Sequence, residues 1–501
     1  MDILERDASE VLSLVRSMKN SFAPINRIPP EVLSLVPDHL VEDDTDRDLI
    51  TLTHVCRSWR TIFTSRPSLW SYLDCSNIDK TRTYIEHSKT APLEICVKSV
   101  REYFYIKEAF LLAVPHIGRL KCLSIFASNL PGIIHYFFCH APLLEELDIT
   151  LYDLPVPVLS DAFLDGNLPS LRDLRLTGVI THLPWKNLSN LTTFHLCRIQ
   201  TDQVSTTQLL NFFENAPFLR TIELEESIPN SSNAPPGRIV SLSSLKKLTI
   251  VAAQPTYSIL LNHLSIPSGS LLVLEFDFSR FTSPVSDFFP KPSENIDLLS
   301  EVTTINLLFE VVGKYLRLDG PNGETYVFGH HVSVGNIPSH LVDRQILRSI
   351  DKSILSTTRK LAISKLNLPP FQIGESQTFL TLRSMKNLRT LVLTKCHNLP
   401  FILALNPGET PSNLVICPKL KDLVLYTKEW NGFHITEMLS MAEERASRDA
   451  KLSSVTIVGL GELVPGKEAF KLRKYVGRVD YRVDDAPPDW DDNPSEGDET
   501  E

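Results

Sequence analysis

The chain has 501 residues, 43% of them hydrophobic, enough apolar material for a large core, which excludes global disorder. Its formal charge is −10, but nine acids and no Lys or Arg lie between Asp484 and Glu501, so the remainder stands at −1. A nearly neutral body lacks the clustered positive field that phosphate binding needs, which excludes nucleic acid as the main partner. The eight cysteines include no CxxC pair and read as reduced, buried thiols of a cytoplasmic and/or nuclear protein. The opening MDILERDASEVLSLVRSMKN has acids near its start and no signal-like apolar run. No stretch reaches the roughly 18 apolar residues of a membrane span, so no membrane partner is expected.

In chain order, residues 1–24 read as an N-terminal helix and residues 25–75 as a small helical module. Pro29 and Pro30 suit the opening of a helix, and Glu31 in its first turn is favoured by the dipole. After the acidic segment Glu42–Asp48, the apolar positions Leu49, Leu52, Val55, Cys56, Trp59, Ile62 and Phe63 form one continuous helical stripe. Pro67 ends it, and Leu69-Trp70 packs back. The series Ile28-Pro29-Pro30-Glu31-Val32-Leu33, Asp48-Leu49, Val55-Cys56-Arg57-x-Trp59-Arg60 and Leu69-Trp70 resembles the F-box, in a style similar to fungal F-box proteins. The acidic insert Val41–Arg47 departs from that pattern and lengthens the first link. The resemblance implies docking on the Skp adaptor of a Skp–cullin–F-box ubiquitin ligase. Pro29, Pro30, Glu31, Leu33, Leu49 and Val55 would lie at or near the adaptor surface, with Trp59 and Trp70 in the module core.

Residues 76–483 carry a recurring L-x-x-L-x-[LI] pattern. Copies stand at Leu120/Leu123/Ile125, Leu144/Leu147/Ile149, Leu171/Leu174/Leu176, Leu191/Phe194/Leu196, Leu219/Ile222/Leu224, Leu245/Leu248/Ile250 and Leu271/Leu274/Phe276. Weaker copies fall at Val302/Ile305/Leu307 and near Leu361/Ile363, and clear ones return at Leu388/Leu391/Leu393, Leu420/Leu423/Leu425 and Leu452/Val455/Ile457. The last two positions of each copy are two apart and share one face of a short strand, while the first packs beneath it. Intervening residues must bring the chain back, and two returns read as helix, Gln208–Asn215 and Ile435–Ala446. One unit cannot bury its own apolar face, but a stack can. The pattern resembles leucine-rich repeats, which implies an α/β fold: an irregular solenoid, a right-handed α/β horseshoe, behind the helical module. About twelve strands at ~4.8 Å spacing would give a sheet on the order of 55–60 Å long. The family's Asn or Cys after each strand is missing; turns such as Thr177-Gly178 and Thr394-Lys395-Cys396 stand there instead.

Residues 308–334 interrupt the pattern, with alternating apolar residues flanking Asp319-Gly320-Pro321-Asn322-Gly323, a hairpin signal. The acidic tail 484–501 reads as disordered. There is no phosphate-binding glycine loop, no H-E-x-x-H and no G-x-S-x-G elbow. His330 and His331, adjacent in a strand, point to opposite faces and cannot chelate one metal together. Acid pairs such as Glu145-Glu146 and Glu225-Glu226 read as solvated strand edges. No catalytic residue, metal or cofactor is therefore expected.

The reading is a non-enzymatic substrate-recognition subunit of a Skp–cullin–F-box E3 ubiquitin ligase, with the repeats holding an unidentified protein substrate. Candidate substrate contacts are the polar positions beside the repeat leucines: Arg172, Asp173, Arg175, Glu223, Glu225, Lys247, Lys421 and Asp422. The alternative is a leucine-rich repeat scaffold whose N-terminal helices only cap the stack and play no ubiquitin role. An enzyme would require convergent polar residues in a deep pocket on the sheet.

Overall fold

The computed structural model describes residues 2–39, 45–75, 77–99, 103–127, 137, 139–152, 158–159, 163–181, 187–198, 205–227, 233–252, 257–277, 302–309, 313–320, 324–330, 350, 352–366, 377–410, 413–427, 432–459 and 467–483. The acidic tail, His331, the turn residues 321–323 and the insert residues 41–44 lie outside them. The architecture is a helical N-terminal region followed by a mixed α/β region with parallel sheets. The chain divides into two compact units, Met1–Phe194 and His195–Glu501.

The first unit begins with helix α1 (Asp2–Ser21) and a single turn α2 (Pro30–Leu33), which has Pro30 at its start and Glu31 in its first turn. The single stripe expected from Leu49 to Phe63 is in fact two helices, α3 (Thr45–Val55) and α4 (Arg57–Thr64), broken at Cys56, whose φ −160 and ψ 172 are extended. The break has a local cause. The Thr53 hydroxyl donates to the Ile50 carbonyl at 2.7 Å, and Arg60 Nε takes the Thr53 carbonyl at 3.0 Å. That carbonyl, left without a partner by the helix end, is thus satisfied from the next helix.

Strands then alternate with helices. β1 (Tyr72–Leu73) pairs parallel with β2 (Leu93–Ser99), with Leu73 opposite Ile95. α5 (Ile78–Ser88) joins them, its start capped by Asn77 accepting from the Asp79 and Lys80 amides. β3 (Leu120–Ala127), β4 (Glu146–Leu151) and β5 (Asp173–Thr177) continue the parallel ladder, placing Ile95, Leu123, Leu147 and Leu174 in one row. All four are essentially inaccessible, each fully buried side chain contributing about 1.5–3 kcal/mol relative to exposure. The division between the units falls within β6 (Thr193–Cys197).

In the second unit, β7 (Thr221–Glu225), β8 (Lys247–Ala252) and β9 (Leu271–Asp277) run parallel. The register pairs Leu248 with Leu272 and Ile250 with Leu274. The copy read as Leu271/Leu274/Phe276 is therefore slid by two residues, and the inward pair is Leu272 and Leu274. Parity is unchanged, so the apolar run Leu271-Leu272-Val273-Leu274 left the phase ambiguous.

The segment after β9 is an antiparallel meander, β10 (Thr304–Phe309), β11 (Gly313–Asp319) and β12 (Glu324–His330). β9 pairs parallel with β12, and β10 pairs parallel with β13 (Lys360–Ser364). The copy at Val302/Ile305/Leu307 is thus separated from β9 by two strands, and among the described strands of this sheet only β11 runs against the rest. Asp319, at the end of β11, accepts from Arg317 Nε at 2.6 Å and from Asn306 Nδ2 at 2.8 Å. β14 (Thr390–Thr394), β15 (Asp422–Thr427), β16 (Ser454–Gly459) and β17 (Arg478–Val483) complete the ladder in parallel. The sequence pattern did not disclose β1, β2 or β17.

The turns solve the problem that the missing Asn posed. Arg198, Glu226, Lys365 and Lys395, each directly after a strand, have φ of 52, 47, 58 and 51. Each turns its amide to a carbonyl across the ladder: Arg198 to Glu225, Glu226 to Val251, Lys365 to Thr394 and Lys395 to Tyr426, at 2.7–2.9 Å. Gly178 occupies the equivalent place after β5 with φ +65, and a Cβ there would lie 2.2 Å from the Leu151 carbonyl oxygen.

Return segments supply the layer beneath. α6 (Thr206–Asn215) begins with a reciprocal capping box between Ser205 and Gln208 and buries Leu209, Leu210, Phe212 and Phe213. Helix Gly432–Ser447 buries Ile435, Met438, Met441 and Ala442, and also Arg445. The Arg445 guanidinium donates to the Ile416 carbonyl at 2.8 Å and the Cys417 carbonyl at 2.9 Å, replacing water for two buried acceptors. Burial holds its pKa below the ordinary value.

None of the eight cysteines is in a disulfide. Desolvation pushes Cys75, Cys396 and Cys417 up to about 12, leaving almost no thiolate to react near neutrality. Iodoacetamide at pH 8 is expected to leave these three unmodified in the native chain and to modify them in guanidinium, read by peptide mass spectrometry. Gly178→Ala adds strain at positive φ to a backbone clash and is expected to cost on the order of 2–3 kcal/mol in urea unfolding. Lys395→Ala, already left-handed with a side chain, should shift the midpoint little.

Candidate functional site

The helical module is organised around two tryptophans. Trp59, on α4, is buried, and its indole N–H donates to Asn26 Oδ1 at 2.6 Å. Its ring meets Phe63 edge-on at 5.7 Å. Trp70, in the turn Pro67–Trp70, is also buried and donates to the Phe63 carbonyl at 2.9 Å. Trp70 reaches outside the module as well, packing on Tyr84 and His87 of α5 with centroids 5.0 and 4.7 Å away. Arg66 Nη1 donates to the Ser34 carbonyl at 2.5 Å, tying the end of the module to its first turn. Arg57 Nη2 donates to Ser13 Oγ at 2.7 Å, holding α1 against α4.

The six residues that the sequence assigned to the module surface separate into two groups. Pro29, Pro30, Glu31 and Val55 are exposed. Leu33 and Leu49 are not: they are 2% and 4% exposed and belong to the interior. The correction has a geometric reason. A one-turn helix has too few residues to set its phase from periodicity, and here Val32 faces outward while Leu33 faces inward. Ile28, Val32 and Leu35, around the single turn α2, present exposed apolar side chains, and so do Ile50 and Val55 on α3. The sequence held that signal in the apolar residues that Leu33 and Leu49 left over.

Residues 25–76 match the F-box-like family. No curated protein and no solved structure matches the chain. The F-box match covers about a tenth of the chain, and domains of this family typically bind Skp adaptors. The F-box match runs to the residue after Cys75, so it includes β1, the strand that pairs with β2.

Candidate substrate contacts lie in both units and are considered separately. In the first, Arg172 is exposed just before β5, while Asp173 and Arg175 point away from the core and pair with each other at 3.2 Å. In the second, Glu223, Glu225 and Lys247 lie on the outward faces of β7 and β8, and Lys247 Nζ holds Glu223 at 3.1 Å. Lys421 is exposed, and Asp422 accepts from Ser454 Oγ at 2.7 Å. Exposed pairs of this kind contribute about 0–1 kcal/mol to stability. The outward strand positions are mixed, with Phe126, Val251, Val392 and Val424 among the polar residues, whereas the inward ones are almost all apolar, Thr427 being an exception. Of the two histidines read as a non-chelating pair, only His330 is among the described residues. No described helix is long and apolar enough to cross a membrane.

Trp70→Ala removes the ring that packs on both the F-box and α5, and its expected cost is about 3–5 kcal/mol. Urea unfolding followed by circular dichroism should show the loss. A midpoint equal to wild type would contradict the role given to Trp70.

Proposed function

We propose that the chain is the substrate-recognition subunit of a Skp–cullin–F-box ubiquitin ligase. The single observation that carries this reading is the F-box-like match at residues 25–76. The apolar side chains of Ile28, Val32, Leu35, Ile50 and Val55 support it, because a module working only as a cap would have no need to expose them. In this reading they meet the Skp adaptor, with Pro29, Pro30 and Glu31 beside them. Leu33 and Leu49 act from beneath by holding α2 and α3 in place.

The parallel-strand region is read as an irregular leucine-rich repeat solenoid whose outward strand faces hold a protein substrate. The role is non-catalytic. Bringing a substrate lysine close to a ubiquitin-charged enzyme raises its effective concentration, and no bond need be made or broken by this chain. The packing of Trp70 on α5 suits that task, since it leaves no free linker between the F-box and the strands that follow it in the first unit.

The scaffold reading, in which the helices only cap the stack, is favoured by one observation, the pairing of Leu73 with Ile95. A solenoid end needs such a cover in any case. The two readings part on adaptor binding. Co-expression with a Skp adaptor should give a complex that elutes together in gel filtration. Val32→Asp combined with Val55→Asp should weaken that complex at least about tenfold, since each places a charge in an apolar contact, while circular dichroism stays unchanged. A wild-type chain that folds but captures no adaptor would leave only the cap. Leu33→Asp is unsuitable for this purpose, because it buries a carboxylate and tests the fold instead.

A further inference from the structure

The outward faces of β6 and β7 bring together three side chains that sequence spacing does not connect. A ring nitrogen of His195, the thiol of Cys197 and a carboxylate oxygen of Glu225 all lie within 4.8 Å of one another. His195 and Cys197 are two apart on one strand and so share a face; Glu225 comes from the next strand in the chain. Backbone holds the arrangement: the Arg198 amide donates to the Glu225 carbonyl at 2.8 Å, locking the two strand ends together. On the opposite face Leu196, Ile222 and Leu224 are fully buried, so neither strand can rotate these residues away.

Two further observations point to a ligand. His195 Nδ1 lies 3.4 Å from Glu223 Oε2, and Glu223 is itself held by Lys247 Nζ at 3.1 Å. A carboxylate on one ring nitrogen fixes the tautomer and raises the basicity of the other, the arrangement found behind metal-bound histidines. That other nitrogen, Nε2, is buried and has no hydrogen-bond partner. An unsatisfied buried nitrogen is destabilising, and a bound cation would offset that cost.

The geometry points to a Zn2+ site formed by His195, Cys197 and Glu225, with Glu223 orienting the imidazole and a fourth position left to water. The donor set decides the metal. Thiolate, imidazole and carboxylate together suit zinc, whereas an oxygen-only set would suit magnesium or calcium. Tetrahedral zinc with bonds of about 2.0–2.3 Å places its ligands roughly 3.3–3.8 Å apart. From within 4.8 Å of one another, small side-chain rotations bring the three atoms to that spacing. On binding, the Cys197 thiol gives its proton to solvent, and the thiolate and the Glu225 carboxylate balance the two positive charges. The expectation that the chain holds no metal came from spacing within single segments; this cluster exists only once β6 and β7 lie side by side.

The test uses the full chain stripped of metal by chelator and titrated with Zn2+ alone in a calorimeter. One Zn2+ should bind per chain, with Kd on the order of micromolar or tighter. Co2+ should give visible bands of a tetrahedral ion and a near-ultraviolet thiolate-to-metal charge-transfer band. Cys197→Ala should abolish the charge-transfer band, and Glu225→Gln, which keeps the shape, should weaken Zn2+ binding on the order of 10–100-fold. Cys396→Ala, away from the cluster, should leave both readouts at wild-type values. Failure of the wild-type chain to bind Zn2+ below millimolar concentration, or a charge-transfer band that survives Cys197→Ala, would overturn the site. Neither result bears on adaptor binding.

Discussion

A parallel strand cannot satisfy itself. It has an open row of amides and carbonyls on each edge and one apolar face, and all three need a neighbour. Here that neighbour is almost always the next strand along the chain, which sets what the intervening residues must do. They must reverse direction, supply an apolar layer beneath the sheet and return in register. The left-handed residues after β6, β7, β13 and β14 perform the first task by donating across the ladder before the chain turns away. Helices such as α6 and Gly432–Ser447 perform the second. The ladder of the first unit ends on β1, a strand contributed by the F-box segment itself. The module is therefore part of the sheet's own solution to its open edge.

How much of this was legible depends on which constraint each residue obeys. Inward strand positions must be apolar, so Leu123, Leu147 and Leu174 announced themselves. β2 and β17 did not, because they lack the leading leucine: Ile95 and Val97 follow Pro92-Leu93, and Val476 and Val479 precede a tyrosine. The break at Cys56 was invisible because apolar periodicity continues through it; a threonine hydroxyl and an arginine of the next helix decide it instead. The same holds for Leu33 and Leu49, whose burial is set by packing that a single turn of sequence cannot express. The His195, Cys197 and Glu225 cluster needed a strand pairing before its members could be seen together.

Function divides along the same line. The F-box resemblance rested on short motifs whose order and spacing survive in sequence, and the family match falls on the same residues. Substrate contacts have no such signature. Their candidates lie on outward strand faces where any polar residue is tolerated, and several already pair with one another, as Asp173 does with Arg175 and Glu223 with Lys247. A surface of that kind would encode any partner in the pattern of charge across many strands and in no single position.

The meander carries a consequence for how the second unit acquires its structure. Most paired strands there are separated by 24 to 32 residues, as from Lys247 to Thr221 or Ser454 to Asp422. β9 and β12 pair Leu272 with Thr325, and β10 and β13 pair Thr304 with Lys360, separations of 53 and 56. Closing a loop twice as long costs only about 0.6 kcal/mol in entropy, so stability barely registers the difference. Folding rate does, because distant contacts must be made before they are rewarded. Strands on either side can grow outward from local nuclei, and the reversed strand β11 is where those two growing blocks have to meet, the seam at which assembly of the unit is expected to wait.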